Sequence, residues 1–289
     1  MDRKIIKKKH SNGFAVFWKR FRRQKAAMFC LGLLCFIIII CIFAPLIAPY
    51  GFAEMDTANI SKTPSMAHLL GTDDLGRDIL TRLLYGGRYS VSIGLIATLV
   101  AVIGGIVLGS IAGYFGGVVD NLIMRFFDVM QALPSILLSI TVSTVLGPGF
   151  FNLIIALAIG AIPGYARILR AQILSIRGIE YIEAAVSTNC SVARIIARHI
   201  VPNSMAPLLV QATMGVAQQI LGAATLAYVG LGIQPPTPEW GAMLNSARSY
   251  IRVAPYMLLF PGIMIMITVL CINMIGDGAR DALDPKLKS

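Results

Sequence analysis

Residues 26–48 read AAMFCLGLLCFIIIICIFAPLIA, a segment without a charged side chain. An α-helix rises about 1.5 Å per residue, so roughly 20 apolar residues cross the hydrocarbon core of a bilayer, which is about 30 Å thick. The whole chain has the same bias, because 56% of its 289 residues are hydrophobic and only 13% are charged. This composition predicts an all-α polytopic membrane protein. It disfavours a soluble enzyme, a disordered chain and a disulfide-rich secreted scaffold.

Five further spans are predicted from the uncharged stretches that follow. These stretches are residues 89–119, 129–166, 200–238 and 253–276. The second of them is too long for one helix, and Gly147-Pro148-Gly149 in its middle predicts a turn. We therefore expect a third span that begins near Val118, a fourth over residues 150–166, and a fifth that ends before Gly230. The chain then has six transmembrane helices.

Basic residues are distributed unevenly around these spans. If the N-terminus is cytoplasmic, 19 of the 25 Lys and Arg residues lie on the inner side and six on the outer side. Because Lys and Arg favour the cytoplasmic side, both termini are predicted to be cytoplasmic. The predicted divisions are a basic N-terminal tail (1–25), a first transmembrane helix (26–48), an extracytoplasmic segment (49–88), a core of spans two to six (89–276) and a C-terminal tail (277–289). The basic tail favours contact with anionic lipid over a nucleic-acid-binding arm, so no nucleic acid partner is expected.

Residue types that perform catalysis or bind metals are not grouped in the sequence. There is no phosphate-binding loop, no zinc-protease or serine-hydrolase motif, and no CxxC pair among the five cysteines. The histidines His10, His68 and His199 are interpreted as lone surface or interfacial residues. Near the inner end of the third span, Arg125 and Asp128 are three residues apart and are expected to pair on one helix face, as a helix-end anchor or, as the less favoured alternative, as a substrate contact. We therefore expect no catalytic residue, metal or cofactor in this chain, and a conduit whose energy comes from elsewhere.

One long inner loop, residues 167–201, has the pattern of two short helices. Apolar residues recur at helical spacing in both halves of this loop. They are Ile176, Ile179, Ile182 and Val186 in the first half, and Val192, Ile195, Ile196 and Ile200 in the second. Asn189 between them tolerates the left-handed backbone conformation, and Ser191 is positioned as an N-cap. Periodicity alone leaves two interpretations open, a helix that lies on the membrane surface and a helix that docks onto another protein.

Four motifs of this chain resemble those of permease subunits of binding-protein-dependent ABC importers. The first is the EAA loop, Glu183-Ala184-Ala185 followed by Ile200-Val201-Pro202-Asn203, in which Asn189 stands for the usual glycine and Val201 for the usual leucine. The other motifs are HLLGTDDLGRD at 68–78, LGIQPPTPEWG at 231–241 and NMIGDGARDALDP at 273–285. Their order is similar to that of the C-type subunit of dipeptide, oligopeptide and nickel importers.

This resemblance implies a type I ABC importer permease core (MetI-like) over residues 89–276. It also implies a heterodimer with a second, homologous permease, two cytoplasmic ABC ATPase subunits that bind ATP and Mg²⁺, and an extracytoplasmic solute-binding protein. The complex would lie in the cytoplasmic (inner) membrane of a prokaryote. The EAA-loop residues expected to couple the chain to an ATPase are Glu183, Ala184, Ala185, Asn189 and Pro202. Glu183 would act by charge, the alanines by close approach and Asn189 by fixing the angle of the joint.

The function implied by the resemblance is the import of di- and oligopeptides delivered by the binding protein. Nickel or another small solute is the alternative cargo. A stand-alone gated channel or an intramembrane enzyme is a less favoured alternative, and either would work without ATPase subunits.

The outer segments of the chain carry two further expectations. The run Pro235-Pro236-Thr237-Pro238 must lie in a loop, and Glu239-Trp240 after it is placed to cap an outer re-entrant turn. This loop either packs on the spans or contacts the binding protein. Thr72 is followed by two acidic residues, a pattern typical of a helix N-terminus. It predicts a short helix before the second span.

Overall fold

The computed structural model describes residues 13–283, and this part of the chain is helical, with no β-strand beyond an isolated bridge between Thr72 and Asp78. Its helices are α1 Gly13–Phe21, α2 Lys25–Ile42, α3 Ala44–Ile47, α4 Ile79–Phe115, α5 Gly117–Gln131, α6 Ser135–Leu146, α7 Phe150–Ile176, α8 Glu180–Ser187, α9 Val192–Ile195, α10 Val201–Tyr228, α11 Trp240–Ala247 and α12 Tyr256–Leu283. The parts of the two predicted tails at 1–12 and 284–289 lie outside the described residues.

The helices long and apolar enough to cross a bilayer agree with the predicted number of spans. Within residues 13–283, five segments qualify, namely α2, α4, α7, the continuous segment Val192–Tyr228 and α12. Helices α5 and α6 supply a sixth span when the bent pair is counted as one. The prediction of an all-α polytopic membrane protein is therefore confirmed.

The third span contains a break that the uncharged pattern did not predict. Helices α5 and α6 meet at an angle of 87° across residues 132–134. Pro134 occupies the position before α6 and has no N–H to continue the ladder of α5. Hydropathy reports only that residues 129–146 are apolar, so a straight helix and a bent pair look alike at that level.

The second span begins earlier than its uncharged stretch suggests. Helix α4 starts at Ile79, and the Asp78 carboxylate caps it by accepting a hydrogen bond from the N–H of Thr81 at 2.8 Å. The predicted short helix at Thr72 is therefore wrong. The Thr72 hydroxyl instead accepts a hydrogen bond from the N–H of Lys62 at 2.9 Å, which fastens a loop. The capping signal was present in the sequence, but it belonged to Asp78.

Helices α4 and α7 form the centre of the bundle and approach closely at glycines. A methyl group added to Gly105 would lie 2.4 Å from Cβ of Tyr165, and one added to Gly109 would lie 2.5 Å from the carbonyl oxygen of Ala166. Small residues four apart on one helix face are a common way to pack membrane helices, because they allow backbones to touch. Any larger side chain at these two positions would force α4 and α7 apart.

Two ion pairs join α5 to α7 near the end of α7 that leads into the inner loop. Arg170 forms a bidentate pair with Asp120, and Nη2 of Arg167 lies 2.8 Å from Oδ1 of Asp128. The predicted pair of Arg125 with Asp128 is therefore wrong. Asp128 pairs across to a neighbouring helix, where the guanidinium is brought to it by tertiary packing.

The end of the bundle at the start of α4, predicted to be the outer one, is closed by α11 and the loop before it. Trp240 is fully buried, and its indole N–H donates to the carbonyl of Leu83 at 3.0 Å. The carboxylate of Glu239 caps α11 and accepts hydrogen bonds from the hydroxyl of Ser90 and the N–H groups of Gly241 and Ala242 at 2.8 to 2.9 Å. Burial raises the pKa of Glu239 despite these three bonds. This end of the loop packs on the spans, which is the first of the two interpretations given for it.

The outer segment before α4 is held by a second set of polar contacts. Nδ1 of His68 lies 3.0 Å from Oδ1 of Asp78, and both side chains are buried. Arg77 and Arg82 both reach the carboxylate of Asp73, at 2.7 and 3.4 Å. The interpretation of His68 as a lone surface residue is therefore wrong, because it links the loop to the start of α4.

Candidate coupling surface

Helix α8 is the first half of the inner loop, and it carries three of the predicted coupling residues. Glu180 and Glu183 lie in its first turn, where negative charge is favourable to the helix dipole. Ile182 is 2% exposed and packs with Ile173 of α7 and Ile195 of α9. This apolar anchor fixes the orientation of α8 relative to the bundle.

The side of α8 away from Ile182 is open. Glu183 and Ala184 are exposed, and Ala185 is half-buried against the apolar cluster around Ile182. Among residues 13–283, no side chain forms an ion pair or hydrogen bond with the carboxylate of Glu183. An unpaired charge beside a residue as small as Ala184 suits close contact with the surface of another protein.

The joint after α8 has the conformation that the sequence predicts. Asn189 has a φ of +55°, in the left-handed region. The N–H of Cys190 then bonds the carbonyl of Ala185 at 3.1 Å, and that of Thr188 bonds the carbonyl of Ala184 at 3.0 Å. A left-handed residue with a bond back across it to the last turn is the Schellman ending of a helix. The conformational prediction for Asn189 is therefore confirmed.

The second half of the inner loop differs in detail from the expected single helix. Ser191 occupies the N-cap position of α9, but its side chain accepts no hydrogen bond from that helix. Helix α9 is one turn long and is followed by a π-helical turn over Ile196–Ile200. Pro202 lies in the first turn of α10 and is exposed there, where its missing N–H costs nothing to the helix.

The apolar stripes of the two halves are buried only in part. Ile182, Ile195 and Ile200 are between 0% and 2% exposed, as the spacing predicts. Ile179 and Val192 were placed on the same stripes, but they are 42% and 37% exposed. The reason is that each lies at the very start of its half, where the chain has just turned. They add apolar area to the open side of the loop and were missed as candidate contact residues.

The two halves of the loop are tied to each other and to the bundle. The side-chain amide of Asn203, next to Pro202, donates to the hydroxyl of Tyr181 on α8 at 3.3 Å. At the base of the loop, the guanidinium of Arg177 donates to the carbonyl of Gly113, near the end of α4, at 3.4 Å. Because of these bonds and the shared cluster around Ile182, a force applied to α8 acts on α7, α10 and α4 together.

No group of His, Cys, Asp and Glu side chains within residues 13–283 is arranged to hold a metal ion. The candidate coupling surface consists of one carboxylate, small side chains and a left-handed turn.

This loop lies within a region that matches a known family. The family model described as binding-protein-dependent transport system inner membrane component matches residues 105–289. The chain belongs to this family. A second model, described as the N-terminal transmembrane domain of oligopeptide transport permease C, matches residues 14–64. The protein is therefore a multi-pass component of an inner-membrane transport system and a transport subunit, as the sequence motifs predicted.

Members of the binding-protein-dependent family with curated names match over nearly the whole chain. The dipeptide transport system permease protein DppC of Alkalihalophilus pseudofirmus is 48% identical over 94% of this chain and 90% of its own length. The di/tripeptide permease DppC of Pseudomonas aeruginosa is 44% identical over 94% of this chain and 92% of its own length. The glutathione transport system permease GsiD of Pectobacterium atrosepticum is 44% identical over 94% of this chain and 91% of its own length.

Solved structures share the fold of this transport component at low sequence identity. A chain of the MetNI methionine ABC transporter, in an inward-facing conformation, superposes with a TM-score of 0.56 at 18% identity and covers 71% of this chain and 98% of its own. A chain of an amino acid ABC transporter superposes with a TM-score of 0.51 at 15% identity, covering 71% and 99%. The prediction of a MetI-like fold is thus confirmed.

Proposed function

We propose that this chain is a permease subunit of an ATP-driven importer that moves di- or oligopeptides across the cytoplasmic membrane. Its partners in this proposal are a second, homologous permease, two ABC ATPase subunits that bind ATP and Mg²⁺, and an extracytoplasmic solute-binding protein. Both termini are cytoplasmic, which places the loop that contains α8 on the side of the ATPases.

The observation that carries the peptide assignment is the identity of 48% and 44%, over 94% of the chain, to permeases named for dipeptides and di/tripeptides. The glutathione permease at 44% identity points the same way, because glutathione is itself a tripeptide. A nickel or other small-solute importer remains the alternative from the motifs, and these three relatives favour the peptide.

The coupling role of α8 is supported by the geometry of its open side. Glu183 supplies an unpaired negative charge, and Ala184 leaves room for a close approach. A protein groove with a basic residue would satisfy the charge, and complementary charges at an interface mainly set specificity and the rate of association. The Schellman ending at Asn189 holds this side in one orientation, so that ATPase closure displaces α8 as a rigid body.

Transport is tested in proteoliposomes that contain the chain, its partner permease and the ATPases, with the binding protein added outside. We expect ATP-dependent uptake of a labelled alanine dipeptide, and no uptake when ATP is omitted. Uptake of radioactive nickel in place of the dipeptide would overturn the peptide assignment while leaving the importer assignment intact.

Coupling is tested by co-purification of the ATPases with variants of the open side of α8. Glu183→Lys reverses the unpaired charge, and Ala184→Leu overfills the contact at a cost of roughly 1 to 3 kcal/mol. Both variants should insert and retain the partner permease but lose the ATPases. Ala26→Leu is the matched control, because Ala26 is an exposed alanine on α2, remote from the loop. Unchanged ATPase retention in both α8 variants would exclude this loop as the docking site and leave the membrane-surface interpretation.

A further inference from the structure

A cavity of about 640 Å³ lies between α6, α7 and α10, and its lining mixes polar and apolar side chains and has no charged one. The polar side chains include Gln131, Ser135, Ser139, Gln211, Gln218 and Gln219. A second groove, of about 690 Å³ between α10 and α12, is lined almost wholly by aliphatic side chains and has no glutamine in its lining. The first cavity therefore differs from this groove in carrying four glutamines, and from the small pocket around Asp73 and Arg77 in having no charged lining.

The glutamines of α10 form a ladder along one face of that helix. Gln211, Gln218 and Thr225 follow each other at intervals of seven residues, which is close to two helical turns. At about 1.5 Å per residue, the ladder is about 21 Å tall, a large part of the thickness of a bilayer. An extended peptide rises about 3.3 Å per residue, so a dipeptide or tripeptide would meet its steps one after another.

The amides of this ladder are not used by the chain itself. Within residues 13–283, no hydrogen-bond partner contacts the side-chain amides of Gln211, Gln218 or Gln219. An amide removed from water without a partner costs several kcal/mol in an apolar surrounding. Gln219 is buried, whereas Gln211 is half-buried and Gln218 is exposed, so water or a polar solute has access to the amides of these last two.

The break between α5 and α6 lies on the same wall. Gln131 ends α5 and Ser135 begins α6, and both line the cavity. Non-helical backbone at membrane depth is tolerated only where protein covers it or where it lines a water-filled cavity. Residues 131–135 are exposed, so no other described helix of this chain covers the break. Arg167 bonds the side-chain oxygen of Gln131 and so orients its amide.

The α7 side of the cavity is kept open by a glycine. A methyl group added to Gly164 would meet no atom within 4 Å. Gly164 is exposed within the cavity lining, so a larger side chain there would extend into open space without displacing a neighbour. This position offers a way to narrow the cavity while leaving the fold unchanged.

We propose that the transported peptide passes along this wall and that Gln211 and Gln218 hydrogen-bond its backbone. A primary amide donates and accepts at once, which matches the C=O and N–H of a peptide group whatever its side chain. The absence of charge from this lining means that acidic and basic peptides meet the same wall. The inference rests on the proposed function as a peptide importer and assigns the contact to particular residues.

Peptide uptake by the reconstituted importer tests the assignment. The double variant Gln211→Leu with Gln218→Leu keeps the side-chain size but removes two bonding groups, so we expect a fall in alanine-dipeptide uptake of about tenfold. Gly164→Leu should reduce uptake by narrowing the cavity. In both variants, the yield of the complex and its retention of the ATPases should be unchanged.

Matched controls separate solute contact from general damage. Thr213→Val removes a polar group from the same helix outside the cavity lining, and Gly32→Leu adds the same bulk at an exposed glycine of α2 with no atom within 4 Å. Both should transport normally. Uptake within twofold of wild type in the double glutamine variant and in Gly164→Leu would overturn the proposal.

Solvent access gives a readout that does not depend on transport. Gln218→Cys should react with a water-soluble methanethiosulfonate reagent faster than the native cysteines of the wild type, and excess alanine dipeptide should slow the reaction. Lack of labelling at Gln218→Cys would overturn the aqueous wall. A wild-type importer that takes up no peptide would overturn both the proposed function and the peptide ligand. Labelling of Gln218→Cys would even then establish that this wall of the cavity is in contact with water.

Discussion

Replacing Asn189 by valine should disconnect the inner loop from the ATPases without disturbing the spans. Asn189 has a φ of +55°, and a β-branched residue in that conformation is strained by about 1 to 3 kcal/mol. The bond from Cys190 to Ala185, at 3.1 Å, exists only while residue 189 is left-handed. If the joint relaxes to avoid about 2 kcal/mol of strain, the ratio of molecules with α8 correctly oriented to molecules with a relaxed joint falls about 30-fold.

The assay for this prediction is ATPase co-purification together with dipeptide uptake in proteoliposomes. Asn189→Val should lose both, and Asn189→Gly should retain both because glycine adopts the left-handed conformation freely. Ser191→Val is the matched control, since Ser191 has an extended backbone with a φ of −61° and a ψ of 142° and its side chain makes no cap bond. Wild-type coupling in Asn189→Val would show that the left-handed joint is not needed, and the reasoning from its geometry would be refuted.

Three further predictions follow from the outer end and the charge distribution. Trp240→Ala should destabilise the solubilised protein by about 3 to 5 kcal/mol, seen as a lower Tm, whereas Trp18→Ala, at a side chain 38% exposed, should not. Burial raises the pKa of Glu239. The stability that the protonated Glu239 side chain contributes is therefore fully present below the pKa of the unfolded state and is lost as the pH rises through the pKa of the folded state. The Tm of the wild type should fall across that pH range relative to the Tm of Glu239→Gln, and parallel pH profiles of the two proteins would contradict this. Reporter fusions after Thr237 should report the outer side and fusions after Arg177 the inner side, and an inner signal at Thr237 would break the six-span topology.

The fold was predictable where a single physical quantity decides it. Uncharged stretches place all the long helices, because transfer of charge into hydrocarbon is so unfavourable that hydropathy alone is decisive. The break at residues 132–134 was not predictable in the same way. Pro134 is the visible signal, but prolines also occur inside α7, α10 and α12, at Pro163, Pro207 and Pro261, without ending those helices. Neighbouring helices decide which proline breaks a span.

The candidate site was predictable where its conformation is local. The left-handed joint at Asn189 depends on one residue and its own helix end, and the sequence contains both. The ion pairs depend on tertiary packing. The sequence pairs Asp128 with Arg125 on the same helix, whereas its partner in the structure is Arg167, which lies 39 residues away along the chain. The ladder of Gln211 and Gln218 is equally visible as a seven-residue repeat. Only the packing of α6, α7 and α10 shows that this face of the helix lines a cavity.

Charged side chains lie where the proposed coupling loop meets the bundle, and the cavity proposed for the solute is lined by uncharged side chains. Charged side chains join the coupling loop to the bent span, because Arg167 and Arg170 of α7 hold Asp128 and Asp120 of α5. Packed interfaces of this kind switch between discrete arrangements instead of deforming gradually, so a displacement of α8 that moves α7 should move α5 and its joint with α6 as well. The residues that line the cavity on both sides of that joint are uncharged, and Arg167 reaches the lining only through its bond to Gln131. A motion driven through ion pairs can therefore reshape a surface that treats peptides of either charge alike.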